Sequence, residues 1–208
     1  MKNKQKGIFI TLEGIDGCGK STLANNLVTA LKADNHSVLL TKEPGGSKLG
    51  VTLRQLLNEQ QEPLDAVSEF LLFAADRAEH FRKIIIPALE QNIIVISDRC
   101  ADSSLAYQGY ARGVDINFIT EVNAVAMAGI TPTLTIFIDI EPHVAAARFA
   151  KRGATLTSFE VRGIPFFTAV RHGFETIFKS RNNVLRLDGN ETQEVLLAQA
   201  IEALKSIF

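Results

Sequence analysis

Hydrophobic and polar positions alternate along the chain between short apolar runs and longer amphipathic segments. The apolar runs are rich in β-branched residues and only three to five residues long, which is typical of strands buried on both faces. Five such strands are predicted, at 8–12, 38–40, 93–96, 134–138 and 184–187.

The segments between these runs have helical length. After the first run, Leu23, Leu27 and Leu31 recur at four-residue intervals, which is the apolar stripe of a helix packed on a sheet. Further helices are predicted over about 65–82, 115–128, 141–152 and 191–207. This alternation predicts an α/β domain with a parallel sheet that binds ligands beyond the carboxyl ends of its strands.

Composition narrows the class of protein. With 208 residues and neither an internal repeat nor a low-complexity linker, we expect a single domain over 1–208. A content of 46% hydrophobic and 22% charged residues is that of a globular protein. The net charge of -1 gives no overall attraction to nucleic acid or to an anionic membrane, so we expect neither partner.

The cysteines and the hydropathy pattern indicate the compartment. Cys18 and Cys100 form no C-x-x-C pair, so neither a disulfide framework nor a zinc site is predicted. No apolar stretch approaches the roughly 20 residues that span a bilayer, and no signal-peptide core follows the basic start. We therefore expect a cytoplasmic protein.

Charge is unevenly distributed along the chain. Residues 148–186 contain eight Lys or Arg and two Asp or Glu, whereas residues 43–79 contain seven acidic and three basic residues. Two interpretations remain open: two solvated faces that differ, or a basic lid over a polyanionic ligand.

A phosphate-binding loop follows the first strand. Residues 14–21 match G-x-x-x-x-G-K-[ST], in which glycines let successive N–H groups face one anion and a helix N-terminus adds positive potential. In this pattern the lysine reaches the β and γ phosphates of ATP and the hydroxyl binds Mg²⁺. The predicted ATP-binding residues are Gly14, Ile15, Asp16, Gly17, Cys18, Gly19, Lys20, Ser21 and Thr22.

Two carboxylates that end apolar strands are candidates for the second metal-side group. Asp98 follows the third strand and Asp139 the fourth, and spacing alone does not choose between them. We favour Asp98, with Ser21, because Arg99 follows it and sets opposite charges beside a phosphate site. Asp139 could instead cap the next helix.

Three further motifs resemble those of bacterial thymidylate kinases. Residues 41–46 read T-K-E-P-G-G, similar to the family's T-R-E-P-G-G, and residues 70–77 read F-L-L-F-A-A-D-R, similar to its base-binding helix. Residues 98–109 resemble its D-R-x-x-x-S signature with A-Y-Q-G after it. The resemblance implies a three-layer α/β/α P-loop fold with a five-stranded parallel sheet of order 2-3-1-4-5. It also implies phosphoryl transfer from ATP to dTMP with Mg²⁺, and a homodimer.

The resemblance also implies roles for the acceptor-binding residues. Arg54 and Arg99 would hold the acceptor phosphate, Phe73 would stack on the thymine, and Arg77 would contact a base carbonyl. Phe73 could equally be a core residue, since its neighbours are apolar. Contacts to the base and sugar are implied for the next group: Ser103, Ser104, Tyr107 and Gln108.

Two acidic residues receive roles from the same resemblance. Asp16 would face the acceptor's sugar and the water shell of the metal, and Glu43 would assist it. A cis peptide bond is expected between Glu43 and Pro44.

The lid, expected at about 150–165, departs from the family. Members with glycine at the position of Gly17 usually carry a catalytic arginine in D-R-x-E, whereas residues 157–160 here read T-S-F-E. We expect Arg152 or Arg162 to reach the transferring phosphoryl group in its place, beside Lys20, Asp16 and Arg99.

Two other functions are alternatives to phosphoryl transfer from ATP to dTMP. A kinase for another nucleoside or nucleoside monophosphate would share most of these motifs. A P-loop nucleotide switch is disfavoured because the chain has no N-K-x-D guanine motif and because Arg54, Phe73 and Arg77 would have no purpose without an acceptor.

Overall fold

We describe a computed structural model of the chain over residues 7–58, 62–152 and 159–208. The strands in this part of the chain are β1 (Phe9–Glu13), β2 (Val38–Lys42), β3 (Ile94–Asp98), β4 (Leu134–Asp139) and β5 (Val184–Asp188). The α-helices are α1 (Lys20–Ala33), α2 (Lys48–Asn58), α3 (Ala66–His80), α4 (Ile86–Glu90), α5 (Ala101–Ser104), α6 (Ile116–Ala126), α7 (Pro142–Arg152), α8 (Gly163–Phe178) and α9 (Gln193–Lys205). Two π-helical turns, Phe81–Ile85 and Leu105–Tyr110, and a 3₁₀ turn, Glu160–Arg162, join some of these helices to their neighbours.

The five strands form one parallel sheet in the order β2-β3-β1-β4-β5. The predicted strands, sheet and order are confirmed, with strand ends moved by one or two residues. In the register of β1 and β3, Leu12 lies beside Asp98. The chain leaves both strands at the same edge, so the phosphate loop and the D-R motif become neighbours.

β1 is buried on both faces, as its uninterrupted apolar run predicts. Ile10 and Leu12 pack with Leu23 of α1 in one cluster, whereas Phe9 packs with Phe81 on the opposite face of the sheet. Each such side chain contributes about 1.5–3 kcal/mol when fully buried. The sheet between these layers is therefore a rigid base for the loops at its carboxyl edge.

Four α-helices were missing from the predicted pattern: α2, α4, α5 and α8. In α2, Gly50 and the β-branched Val51 and Thr52 weaken the helical signal. α8 begins at Gly163 and has Pro165 as its third residue, where the first turn tolerates proline because that N–H has no helical partner. The other predicted helices are present, with shorter ends.

The basic stretch at 148–186 does not form one unpaired positive face. Arg171 and Arg186 both pair with Asp139, and Arg181 pairs with Asp102. Arg162 pairs with Glu69. Carboxylates from other segments thus neutralise half of the eight basic residues. The centre of the expected lid, residues 153–158, lies outside the described residues, so the lid itself stays a prediction.

No helix in the described part of the chain combines the length and the apolar character that a membrane crossing requires.

Candidate active site

The phosphate loop connects β1 to α1 at the carboxyl edge of the sheet. Gly14 has φ 142°, and a Cβ there would lie 2.5 Å from the carbonyl oxygen of Ile138, so only glycine fits. Lys20, the first residue of α1, curls into the loop. Its Nζ donates to the carbonyls of Gly14 at 3.1 Å and Ile15 at 2.9 Å. The loop therefore presents a cation and a helix N-terminus to the same space.

Ser21 lies next to Asp98 across the sheet edge. The Ser21 hydroxyl donates to the Asp98 carboxylate at 2.5 Å. Asp139 is engaged elsewhere: although burial opposes its ionisation, hydrogen bonds from Arg171 and Arg186 lower the pKa of Asp139 below its ordinary value. Of the two candidate carboxylates, Asp98 is thus the one beside the loop hydroxyl.

A hydroxyl and a carboxylate are the hard oxygen ligands that Mg²⁺ prefers, and they suit an ion that keeps waters and phosphate oxygens as further ligands. Among the described residues no group of three or more His, Cys, Asp or Glu side chains is arranged to hold a metal ion. The Ser21–Asp98 pair fits a metal that arrives with a nucleotide rather than a closed metal site.

Arg99 links the D-R motif to the phosphate loop. Its guanidinium donates to the Gly14 carbonyl at 3.1 Å, to Asp16 at 2.5 Å and to the Tyr107 hydroxyl at 3.1 Å. The Tyr107 hydroxyl donates in turn to Asp16 at 3.0 Å. Burial raises the pKa of Asp16, but the charges of Arg99 and Lys20 outweigh it and lower this pKa below its ordinary value. Asp16 is therefore an ionised group at the junction of the two motifs.

All nine predicted acceptor residues line one cavity beside this junction, together with Asp16. Its wall consists of Asp16, Glu43, Pro44, Arg54, Leu57, Asn58, Phe73, Arg77, Arg99, Cys100, Ser103, Ser104, Tyr107, Gln108 and Phe159. The sequence motifs on three separate segments are thus brought to a single concave site.

Arg77 is fully buried at the base of the cavity. Its Nε donates to Glu43 at 2.8 Å, and its other nitrogens donate to Asn123 at 2.7 Å and Ser104 at 3.2 Å. Glu43 also pairs with His80 at 3.1 Å. The Glu43–Pro44 bond is cis, as predicted. Glu43 here anchors Arg77 and does not point freely into the site.

Arg152 and Arg162 were both predicted at the phosphoryl group, and the structure describes the side chain of Arg162 alone. The side chain of Arg152, and residues Thr157 and Ser158 of the departed motif, lie outside the described residues. The Arg162 guanidinium donates to Glu69 at 2.7 Å and lies over the rings of Phe159 and Phe166. Its role at the phosphoryl group stays a prediction.

Glu13 was missed by the sequence analysis. It ends β1 with no exposure to solvent, and its carboxylate accepts from the Cys100 backbone N–H at 2.8 Å and the Ser103 hydroxyl at 2.5 Å. Burial and the charge of Asp102 raise the pKa of Glu13 to about 8, against the Ser103 bond and the charge of Arg99. These contacts fix the backbone next to Arg99, whose φ is 76°. An acidic residue ending an otherwise apolar strand was the signal that could have identified it.

Arg148 of α7 was also missed. Its guanidinium donates to the carbonyls of Gly17 at 3.2 Å and Cys18 at 3.3 Å in the phosphate loop, and to that of Gly189 at 2.7 Å after β5. A cation therefore lies on the far side of the loop from the acceptor cavity. The cluster of basic residues at the end of the predicted helix was the available signal.

The chain is similar to known proteins over nearly its whole length. The family model for thymidylate kinase matches residues 12–200. The thymidylate kinase of Bacillus mycoides (strain KBAB4) is 36% identical over 203 residues, which cover 96% of this chain and 98% of that protein. The thymidylate kinase of Prochlorococcus marinus (strain MIT 9301) is 42% identical over 185 residues, covering 85% and 86% of the two chains.

A solved structure agrees with these relatives. The crystal structure of thymidylate kinase from Ehrlichia chaffeensis superposes with a TM-score of 0.77 at 35% identity, covering 96% of this chain and 98% of that one. Sequence, topology and site thus agree that the chain belongs to the thymidylate kinase family.

Proposed function

We propose that the chain transfers the γ-phosphoryl group of ATP to dTMP, giving ADP and dTDP in nucleotide biosynthesis. One observation carries the proposal: the phosphate loop and the acceptor cavity share a wall made by Asp16 and Arg99. Donor and acceptor phosphates bound on the two sides of this wall would meet at Arg99, as direct transfer requires.

The reaction needs no general base. The second pKa of a phosphate monoester is about 6, so the acceptor phosphate is mostly dianionic at neutral pH. Catalysis then consists of positioning two polyanions and neutralising their charge. The site supplies cations for this purpose in Lys20, Arg54 and Arg99.

We assign the donor phosphates to Lys20 and the loop N–H groups. The Lys20 ammonium donates to two loop carbonyls. These neutral partners hold the ammonium in the loop, and phosphate oxygens would compete for it as charged acceptors, which bind more strongly.

Ser21 and Asp98 would hold a Mg²⁺ ion that enters with ATP. Held by these two oxygens, the ion would supply neutralisation of the negative charge of the nucleotide phosphates. The hydrogen bond from Ser21 to Asp98 places the two oxygens side by side.

On the acceptor side, Arg54 and Arg99 would bind the phosphate and Phe73 would stack on the thymine. Arg77, Ser104 and Gln108 would contact the edge of the base. The burial of Arg77 and its four hydrogen bonds, one to the Cys100 carbonyl at 3.2 Å, fix it for such a contact. Directional hydrogen bonds of this kind select one base edge over another.

Of the two lid arginines, we assign the contact with the transferring phosphoryl to Arg152. Arg162 has a carboxylate partner on α3. Residue 152 is one helical turn beyond Arg148 on α7, and Arg148 contacts the phosphate loop. An arginine at the phosphoryl group contributes about 10³ to 10⁵ in rate in related enzymes.

We also propose that two copies of the chain associate through α2, α3 and α6. An apolar groove between these helices is lined by Leu49, Leu71, Phe118 and Val125, and Val125 is 72% exposed. A contiguous exposed apolar surface of this kind is typical of an interface between protein chains.

ADP release from ATP and Mg²⁺ with a panel of acceptors tests the proposed function. Turnover with dTMP should exceed that with dCMP, dAMP and dGMP by at least about tenfold, the discrimination that one lost directional hydrogen bond of about 1.4 kcal/mol gives. Equal turnover with another monophosphate would assign the site to a different acceptor.

A further inference from the structure

Phe159 lines the acceptor cavity together with Phe73, although no binding role was predicted for it. The centroids of the two rings are 6.1 Å apart, and their planes are inclined by 56°. The Phe159 ring also packs edge-on against Tyr107, at 5.9 Å between centroids. It is therefore an aromatic wall of the cavity that comes from a different segment than the α3 wall.

Arg162 fixes the position of Phe159. Its guanidinium carbon lies 4.7 Å from the centroid of the Phe159 ring and 4.9 Å from that of Phe166, so the cation is stacked on both. The backbone N–H of Arg162 also donates to the Phe159 carbonyl at 3.1 Å. Cation, ring and main chain form one compact turn.

Glu69 connects this turn to the helix that carries Phe73. Its carboxylate is buried and accepts from Arg162 at 2.7 Å, pairs with Arg112 at 2.9 Å, and accepts from Gln108 at 2.9 Å. Glu69 and Phe73 are four residues apart on α3 and so lie on one face of it. The Glu69 carboxylate thereby connects the helix that carries Phe73 to the turn that carries Phe159, and it also holds Gln108 of the cavity wall.

We propose that Phe159 is the second stacking ring of the acceptor-base site, so that the base of dTMP is bound between Phe73 and Phe159. Arg162 and Glu69 are positioning residues that set the width of this slot. A planar base with contacts of about 3.5–4 Å on each face needs rings about 7–8 Å apart. The observed centroids are 6.1 Å apart and the planes are inclined by 56°, so binding of the base would require the two rings to separate by about 1–2 Å and to turn toward parallel.

This inference rests on the proposed function, and its test separates the two. We would measure KM for dTMP and for ATP in wild-type protein, Phe159→Ala and Phe159→Leu, with melting temperatures as a check on folding. KM for dTMP should rise about fivefold or more in Phe159→Ala and less in Phe159→Leu, because one base–aromatic stack is lost or weakened. KM for ATP should stay within twofold.

A ligand without a base gives the sharpest readout. The inhibition constant of 2-deoxyribose 5-phosphate should be the same in wild-type protein and in Phe159→Ala, because this sugar phosphate lacks the stacked group. The inference would be overturned if Phe159→Ala weakened the binding of dTMP and of the sugar phosphate by the same factor. It would also be overturned if KM for dTMP did not change. A wild-type protein that does not phosphorylate dTMP would instead overturn the proposed function.

The positioning role has its own variants. Arg162→Met keeps the apolar stem of the side chain and removes its charge, and it should raise KM for dTMP in the same direction as Phe159→Ala. Arg162→Lys, which restores the charge but not the planar fork, should recover part of the loss. The matched control is Arg186→Met, since Arg186 also stacks over a phenylalanine ring but neither it nor that ring, Phe137, lines the cavity; its KM for dTMP should stay unchanged. An unchanged KM in Arg162→Met would contradict the positioning role.

Discussion

Glu13 illustrates, at the scale of one residue, how the edge of the sheet changes the protonation of a buried carboxyl group. Its carboxyl is buried between the phosphate loop and the D-R motif and accepts from Cys100 and Ser103. Burial is the main reason that its pKa rises from 4.5 to about 8. The folded chain therefore favours the neutral form of this group.

The raised pKa predicts a pH-dependent stability. The contribution of the neutral carboxyl is complete below pH 4.5 and is lost as the pH rises through about 8. Glu13→Gln keeps a neutral polar group of the same shape, so its free energy of unfolding should fall less over this interval. At about 1.36 kcal/mol per pKa unit the difference between the two proteins should reach a few kcal/mol.

Urea denaturation of both proteins at pH 5 and at pH 8 measures this difference. Glu202→Gln is the control, since Glu202 is an exposed glutamate on α9 whose replacement should leave the pH dependence unchanged. Parallel stability curves for wild-type protein and Glu13→Gln would show that Glu13 has an ordinary pKa.

Single residues were predictable where a local motif dictated them. Lys20, Ser21 and Asp98 were identified because the loop pattern and the strand ends are visible in short stretches of sequence. Glu13 and Glu69 were not, because partners such as Ser103 and Arg162 are distant in the chain and meet them only after folding.

At the scale of one element, α2 packs against the loop after β2 through a glycine. A Cβ on Gly50 would lie 2.0 Å from a carboxylate oxygen of Asp76 and 3.1 Å from the backbone of Gly45. Arg54 is four residues later on the same helix and donates to the Pro44 carbonyl at 2.9 Å. The close approach of helix and loop therefore sets the position of Arg54 at the cavity.

Gly50→Ala should destabilise the protein even though alanine favours helices. The gain in helix propensity is about 1 kcal/mol, whereas overpacking costs about 1–3 kcal/mol, so the net loss is about 1 kcal/mol. The displaced α2 should also raise KM for dTMP severalfold. Thermal unfolding and acceptor kinetics, with Gln55→Ala on the exposed face as control, check both effects. A more stable variant with unchanged KM would contradict this packing.

Strands were easier to predict than helices for a physical reason. β1 is apolar on both faces and leaves an uninterrupted run, whereas α2 contains Gly50 and the β-branched Val51 and Thr52, which lower its helix propensity. Leu49 of α2 lines the apolar groove that we propose as the interface between two copies of the chain.

At the scale of the whole molecule, the apolar groove between α2, α3 and α6 predicts a dimer. Wild-type protein should sediment at twice the 22.8 kDa of one chain. Val125→Asp places a charge in the apolar groove of α2, α3 and α6 and should shift the protein to the monomer. Val195→Asp, at a partly exposed position on α9, is the control and should remain dimeric. A monomeric wild-type protein, or a dimeric Val125→Asp, would place the interface elsewhere or exclude it.

The proposed donor and acceptor sites share the wall made by Asp16 and Arg99, and direct phosphoryl transfer between them is the central claim. ³¹P NMR of the protein with ATP, Mg²⁺ and dTMP follows both nucleotides at once. The account predicts that dTDP and ADP appear in equal amounts while dTMP disappears. ADP accompanied by inorganic phosphate, with dTMP unchanged, would contradict it and would indicate a nucleotide hydrolase or switch.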